Sequence, residues 1–144
     1  MTVSRIALTA ALGTTATASF AQPDAWSLLK QIEIDEVVTA TTYEVRKSFP
    51  KALESAQDGV QITGYAVPAL PGEKVRELLL VSDMGLCPFC GNTDHGASLL
   101  VSLAEPIDAV DEAQRITLRG TLEPVTDPET WQAAILKNAT IVTD

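Results

Sequence analysis

The chain has 144 residues, 46% of them hydrophobic and 20% charged, which is the composition of one globular domain and argues against a disordered tail or a membrane bundle. Its formal net charge of −9 argues against binding nucleic acid or anionic lipid, since either needs a basic face. Acidity of this kind fits a soluble protein.

Met1 to Arg5 carries one positive charge, and Ile6 to Phe20 carries none and is rich in Ala and Thr. Ser19-Phe20-Ala21 places small residues at the two positions a signal peptidase reads. Residues 1–21 are therefore expected to be a cleaved signal peptide, with Gln22 first in the mature chain and no membrane span after cleavage. A membrane anchor is the competing reading, but the uncharged run is short and rich in Ala and Thr. No cysteine stands at the cleavage point to make a lipoprotein. The expected location is the periplasm or the exterior, and residues 22–144 are expected to form a single domain.

In chain order, Ala25–Ile34 reads as a short helix, or a helix running into a strand, because Trp26, Leu29 and Ile32 recur at helical spacing. Glu33–Thr42 is acidic, then Thr-rich, and reads as a connector. Phe49, Ala52, Leu53 and Ala56 share one helical face. Ser48 is the expected N-cap of that helix, Pro50 falls in its first turn, and Asp58-Gly59 ends it with Gly59 at C′. From Val60 the period becomes two: Val60, Ile62 and Gly64 alternate with Gln61, Thr63 and Tyr65. Pro68 and Pro71-Gly72 close this strand. Val75–Val81 is a second strand, and its run Leu78-Leu79-Leu80-Val81 predicts burial on both faces. Ser98–Leu103 is a third. Ile116, Leu118, Gly120 and Leu122 alternate through a fourth. Asp127-Pro128 is expected to open one or two helical turns carrying Trp131, and Ile135–Val142 is a fifth strand. Gly64 and Gly120 inside strands predict a bulge or a sharp bend.

These elements predict a mainly β domain with minor α: a small five-stranded, OB-like, partly open barrel with one helix before the first main strand, or else a compact sandwich. The long crossover helices of βαβ units are missing.

Both cysteines and the only histidine lie between the second and third strands, in Asp83-Met84-Gly85-Leu86-Cys87-Pro88-Phe89-Cys90-Gly91-Asn92-Thr93-Asp94-His95-Gly96. Three soft or borderline ligands thus fall within nine residues. Three readings follow. In the first, Cys-Pro-x-Cys-Gly is similar to the knuckle of zinc ribbons and rubredoxins. The proline sets one backbone angle and the glycine permits a left-handed step, so that backbone N–H groups point at the sulfurs. Cys87, Cys90 and His95 then bind a zinc-like metal, and Asp94, Asp83 or water fills the fourth position. Only one knuckle is present, so the site is either open, with three ligands, or shared in a homodimer. In the second reading Cys87 and Cys90 form a disulfide, as an oxidising compartment favours, locking a structural or interaction loop. The third is thiol–disulfide redox chemistry. It wants the first cysteine at a helix N-terminus, whereas Gly91–Gly96 has the composition of a loop.

Other chemistry stays at background. There is no Gly-rich phosphate loop, nucleophile elbow or His-Glu-x-x-His segment, so no catalytic residue is assigned and a non-enzymatic role is expected. Asn138-Ala139-Thr140 has the form of a glycosylation site but lies in a predicted strand. Trp26, Tyr43, Tyr65 and Trp131 are expected to serve packing.

Three stretches together resemble a family of exported bacterial proteins of unknown function built on an OB-like domain. They are Phe49-Pro50 ahead of Val60-Gln61-Ile62-Thr63-Gly64-Tyr65-Ala66-Val67-Pro68, then Leu78–Val81 leading into Cys87-Pro88-Phe89-Cys90-Gly91, then Ile116–Leu122. Some members are encoded beside metal-linked export or uptake systems. The resemblance therefore implies metal handling, with a metal transport system or another exported protein as partner.

Overall fold

A computed structural model describes residues 24–68, 74–83, 98–108, 110–111 and 114–143. Helix α1 (Ala25–Leu29) opens the described chain. The Asp24 side chain accepts from the backbone N–H of Ser27 at 3.2 Å and so caps its first turn. Ala25, Leu28 and Leu29 are buried, and the Trp26 indole N–H donates to the Thr63 carbonyl at 2.7 Å. The helix is thereby fastened to the strand that carries Thr63.

Strands β1 (Glu33–Val38) and β2 (Tyr43–Ser48) follow as an antiparallel hairpin, in register from Glu33 opposite Ser48 to Val38 opposite Tyr43. This corrects the expected connector over Glu33–Thr42. The acidic stretch is a strand because Tyr43–Ser48 supplies its backbone partners. The Thr-rich stretch is its turn, in which Thr39 N–H donates to Thr42 O at 2.9 Å and Thr39 Oγ1 accepts from Thr42 N–H at 2.9 Å. A two-stranded sheet with both ends of its sequence exposed needs no strict apolar alternation, which is why the periodicity hides it.

The helix expected over Phe49–Ala56 is also corrected: only one 3-10 turn forms, Lys51–Leu53. Ser48 belongs to β2, and β3 already begins at Gln57. The segment is a short step from hairpin to barrel, and its apolar spacing serves to bury Leu53 completely and Phe49 in part. Gly59, expected beyond a helix end, has φ +68° inside β3. It sits at the register shift between Gln57 and Val60, where a left-handed residue makes a bulge.

Strands β3 (Gln57–Pro68), β4 (Lys74–Val81), β5 (Ser98–Asp108), β6 (Gln114–Pro124) and β7 (Ala134–Ile141) close a barrel in the order β3-β4-β5-β7-β6. All neighbours are antiparallel except β5 and β7. The mainly β, OB-like architecture of the sequence reading is therefore present, and the barrel is closed rather than partly open. Closure rests on β3, whose 12 residues serve two neighbours: β6 along Gln57–Ala66 and β4 along Tyr65–Pro68.

Inward positions of all five strands fill the core, with Leu78, Leu80, Val101, Leu118, Leu122 and Leu136 fully buried beside Leu53. Of the run expected to be buried on both faces, Leu78, Leu80 and Val81 are buried and Leu79 is half-buried. No polar or charged residue is buried among the described residues. The helical turns expected from Asp127-Pro128 are absent. The segment is a turn in which Glu129 N–H donates to Asp127 Oδ1 at 2.9 Å. No helix among the described residues is long and apolar enough to cross a membrane.

Candidate functional site

The expected ligands Cys87, Cys90, Asp94 and His95 lie outside the described residues, as does Phe89. The two roots of their segment are described. Val81, the last residue of β4, stands opposite Ser98, the first of β5. Residues 82–97 therefore join two antiparallel neighbours at one end of the barrel. Ser82 is half-buried and Asp83, the alternative fourth ligand, is exposed.

Each root borders a concavity. Ser98 stands on the rim of an apolar cleft of about 290 Å³, whose walls include Leu29, Ile32, Leu79, Leu100 and Trp131. Ser82 borders a polar one of about 480 Å³, with Asp24, Gln61, Thr63, Tyr65 and Arg115 around it. Among the described residues no group of three or more His, Cys, Asp or Glu side chains is placed to hold a metal. The barrel wall supplies shape and anchorage at this end, and concentrated donor chemistry belongs to the segment between the roots.

A second organised region lies where the β1–β2 hairpin meets the loop joining β6 to β7. The Lys47 ammonium donates to three carbonyls of that loop, Val125 O at 3.0 Å, Asp127 O at 2.8 Å and Gln132 O at 2.7 Å. Val45 N–H donates to Pro128 O at 2.8 Å, and the Trp131 indole N–H donates to the Tyr43 hydroxyl. Loss of water pulls the Lys47 pKa below its usual value, against the opposing charge of Asp127. The Tyr43 phenol is held above its usual range, first by loss of water and then by the Glu36 carboxylate, while the bond from Trp131 acts in the opposite sense.

This clamp explains the missing helix at Asp127-Pro128. The Asp127 and Pro128 carbonyls, which would accept the first bonds of a helix there, are aimed instead at the Lys47 ammonium and the Val45 N–H. Sequence reasoning passed over Lys47 because nothing near it in the chain marks it out, its acceptors being about eighty residues away. Tyr43 and Trp131, expected to serve packing, are 47% and 37% exposed and lie together at the surface.

Neither a scan of protein-family models nor a search of curated proteins finds a match to this chain. Among solved structures it is similar to a DUF3299 family protein from Pseudomonas aeruginosa, at 23% identity over 68% of each chain, with a TM-score of 0.43.

Proposed function

We propose that this protein is a periplasmic or secreted binding or accessory module that holds a zinc-like divalent metal through Cys87, Cys90 and His95, with Asp94, Asp83 or water as the fourth ligand. The observation that carries the proposal is the concentration of donors. Both cysteines and the single histidine fall within nine residues, on one connection between two barrel strands. The described barrel, by contrast, has an interior without a polar side chain and no comparable cluster. Two thiolates and an imidazole are the donor set of zinc, and a set one ligand short leaves a position for water or a transferred group. A metal transport system or another exported protein is the partner this role calls for, and the resemblance to exported bacterial OB-like proteins supports the same reading.

The test is metal content together with thiol titration on mature protein purified anaerobically from its own compartment. About one zinc per chain, or one per dimer, with both thiols protected by the metal, is the expected result. Absence of metal, with Cys87→Ser leaving the affinity for added zinc unchanged, sinks the proposal.

The export signal expected at residues 1–21 favours a second reading, in which Cys87 and Cys90 are a disulfide that locks an interaction loop. It requires that no thiol be titratable until a reductant is added. Redox catalysis of the thioredoxin type is disfavoured, because Gly91–Gly96 has the composition of a loop and the flanking strands β4 and β5 are antiparallel neighbours, not parts of a βαβ unit.

A further inference from the structure

We propose that the outer edge of β1 is a docking surface that takes an extended basic segment of another protein as a third strand of the hairpin. This surface is separate from the cysteine segment and its use requires no metal.

The hydrogen-bond phase of the hairpin exposes that edge. Val45 N–H donates to Pro128 O and so points away from β1. Glu36 opposite Val45 is therefore a pair that exchanges no backbone bonds, and so, two residues to either side, are Ile34 opposite Lys47 and Val38 opposite Tyr43. The turn agrees, since Thr39 N–H bonds Thr42 O two steps beyond Val37 opposite Glu44. Ile34, Glu36 and Val38 thus turn their N–H and C=O groups outward. Among the described residues β1 pairs with β2 alone, and no backbone group takes those outward groups. Exposed strand edges are usually blunted by charged side chains, Pro or a bulge; Glu33–Val38 has no Pro and no bulge, and its charges are all negative, so they bar a like-charged strand and leave the edge open to a basic one.

The charge on the edge selects the occupant. Glu33, Asp35 and Glu36 are all exposed on a six-residue strand with no cation of its own. Two copies paired edge to edge would crowd these carboxylates, whereas a strand bearing Lys or Arg would neutralise them.

An apolar surface starts at this edge with Val38 and runs back across the hairpin. Val38 is 67% exposed and stands opposite Tyr43, which in turn receives the bond from Trp131. These are three of the four large exposed hydrophobic side chains among the described residues, and they are contiguous. Of the three, Val38 alone lies on the edge strand and meets an added strand directly, while Tyr43 and Trp131 lie on its β2 side. The Lys47 clamp holds the hairpin in place before a partner arrives, which lowers the ordering cost of docking.

The test titrates the protein with a fluorescent decapeptide of alternating lysine and valine, and with its counterpart of alternating glutamate and valine, reading anisotropy. Saturable binding of the basic peptide alone, weakening as salt rises, is expected. Amide exchange should slow at Ile34, Glu36 and Val38 on binding and stay unchanged at Asp35 and Val37, whose amides already face β2. Val38→Pro removes an outward N–H that the hairpin does not use, and should abolish binding with the melting curve retained. Glu33→Lys with Asp35→Lys should weaken binding by about ten-fold or more. Cys87→Ser and added zinc should change nothing, which separates this surface from the proposed metal site. Equal binding of both peptides, unselective protection or an unaffected double charge variant overturns the proposal. So does a dimer of the protein alone that protects the β1 edge, because the occupant is then a second copy.

Discussion

Gly64 and Gly120 show how little room the barrel leaves between its strands. A Cβ on Gly64 would lie 2.6 Å from the Val81 carbonyl oxygen and 2.8 Å from Leu80 Cγ. This is the point at which β3 begins to pair with β4 while still paired with β6. A Cβ on Gly120 would lie 2.6 Å from the Lys137 carbonyl oxygen, beside the register shift between β6 and β7 where Asn138 takes φ +50°. In each case the nearest atom is backbone, which cannot swing aside. Gly64→Ala and Gly120→Ala should each destabilise the fold by about 2–3 kcal/mol through overpacking, read as a lower urea midpoint at unchanged slope. Both glycines were legible as bends from their place in an alternating strand. Which backbone each one approaches was not, because the opposing atoms belong to other strands.

The hairpin and the β6–β7 loop hold each other in place. Three carbonyls of a surface loop share one ammonium, and β2 adds a backbone bond beside them. Lys47→Met keeps much of the stem but leaves the partly buried carbonyls of Val125 and Gln132 without that donor. It should cost about 1–3 kcal/mol, and exchange of the Val45 amide should speed up more than that of the barrel core. Uniform acceleration over the whole chain would show that the clamp is not a local unit. Two segments carry local helix signals and form none of the expected helical turns beyond the 3-10 turn at Lys51–Leu53. Spacing of three and four residues at Phe49–Ala56, and Asp-Pro at residues 127–128, are local helix signals, and both were overridden by partners distant in sequence. A tight turn that buries Leu53, and a loop whose carbonyls are claimed by Lys47, meet those signals in another conformation.

At the scale of the whole molecule, the closed barrel of the described residues buries its apolar core without using any residue of the cysteine segment. Among the described residues the core strands carry every fully buried large side chain except Leu53, and Cys87, Cys90, His95, Asp94 and Asp83 all fall outside those strands. Metal bound by the native state alone adds stability by mass action, about 2.7 kcal/mol when free zinc stands at a hundred times its dissociation constant. Added zinc should therefore raise the melting temperature of reduced wild-type protein, and Cys87→Ser with Cys90→Ser should remove that shift while leaving the zinc-free melting temperature near wild type. An equal zinc response in the double variant would place the binding elsewhere.

The β class and the five barrel strands could be read from residue order, because alternation of apolar and polar side chains follows directly from a strand with one face on a core. The concentration of Cys87, Cys90 and His95 was equally plain, since it is a matter of composition over nine residues. Tertiary structure alone decided the neighbour order β3-β4-β5-β7-β6 and the closure of the barrel through β3. It also decided that an acidic, Thr-rich stretch is half of a hairpin, and that Lys47 spans about eighty residues to bind Asp127 and Gln132. The reason is common to all of these. A strand's period is a property of its own residues, whereas its partner, and the donor that claims a loop carbonyl, depend on which distant residues arrive beside it when the core closes.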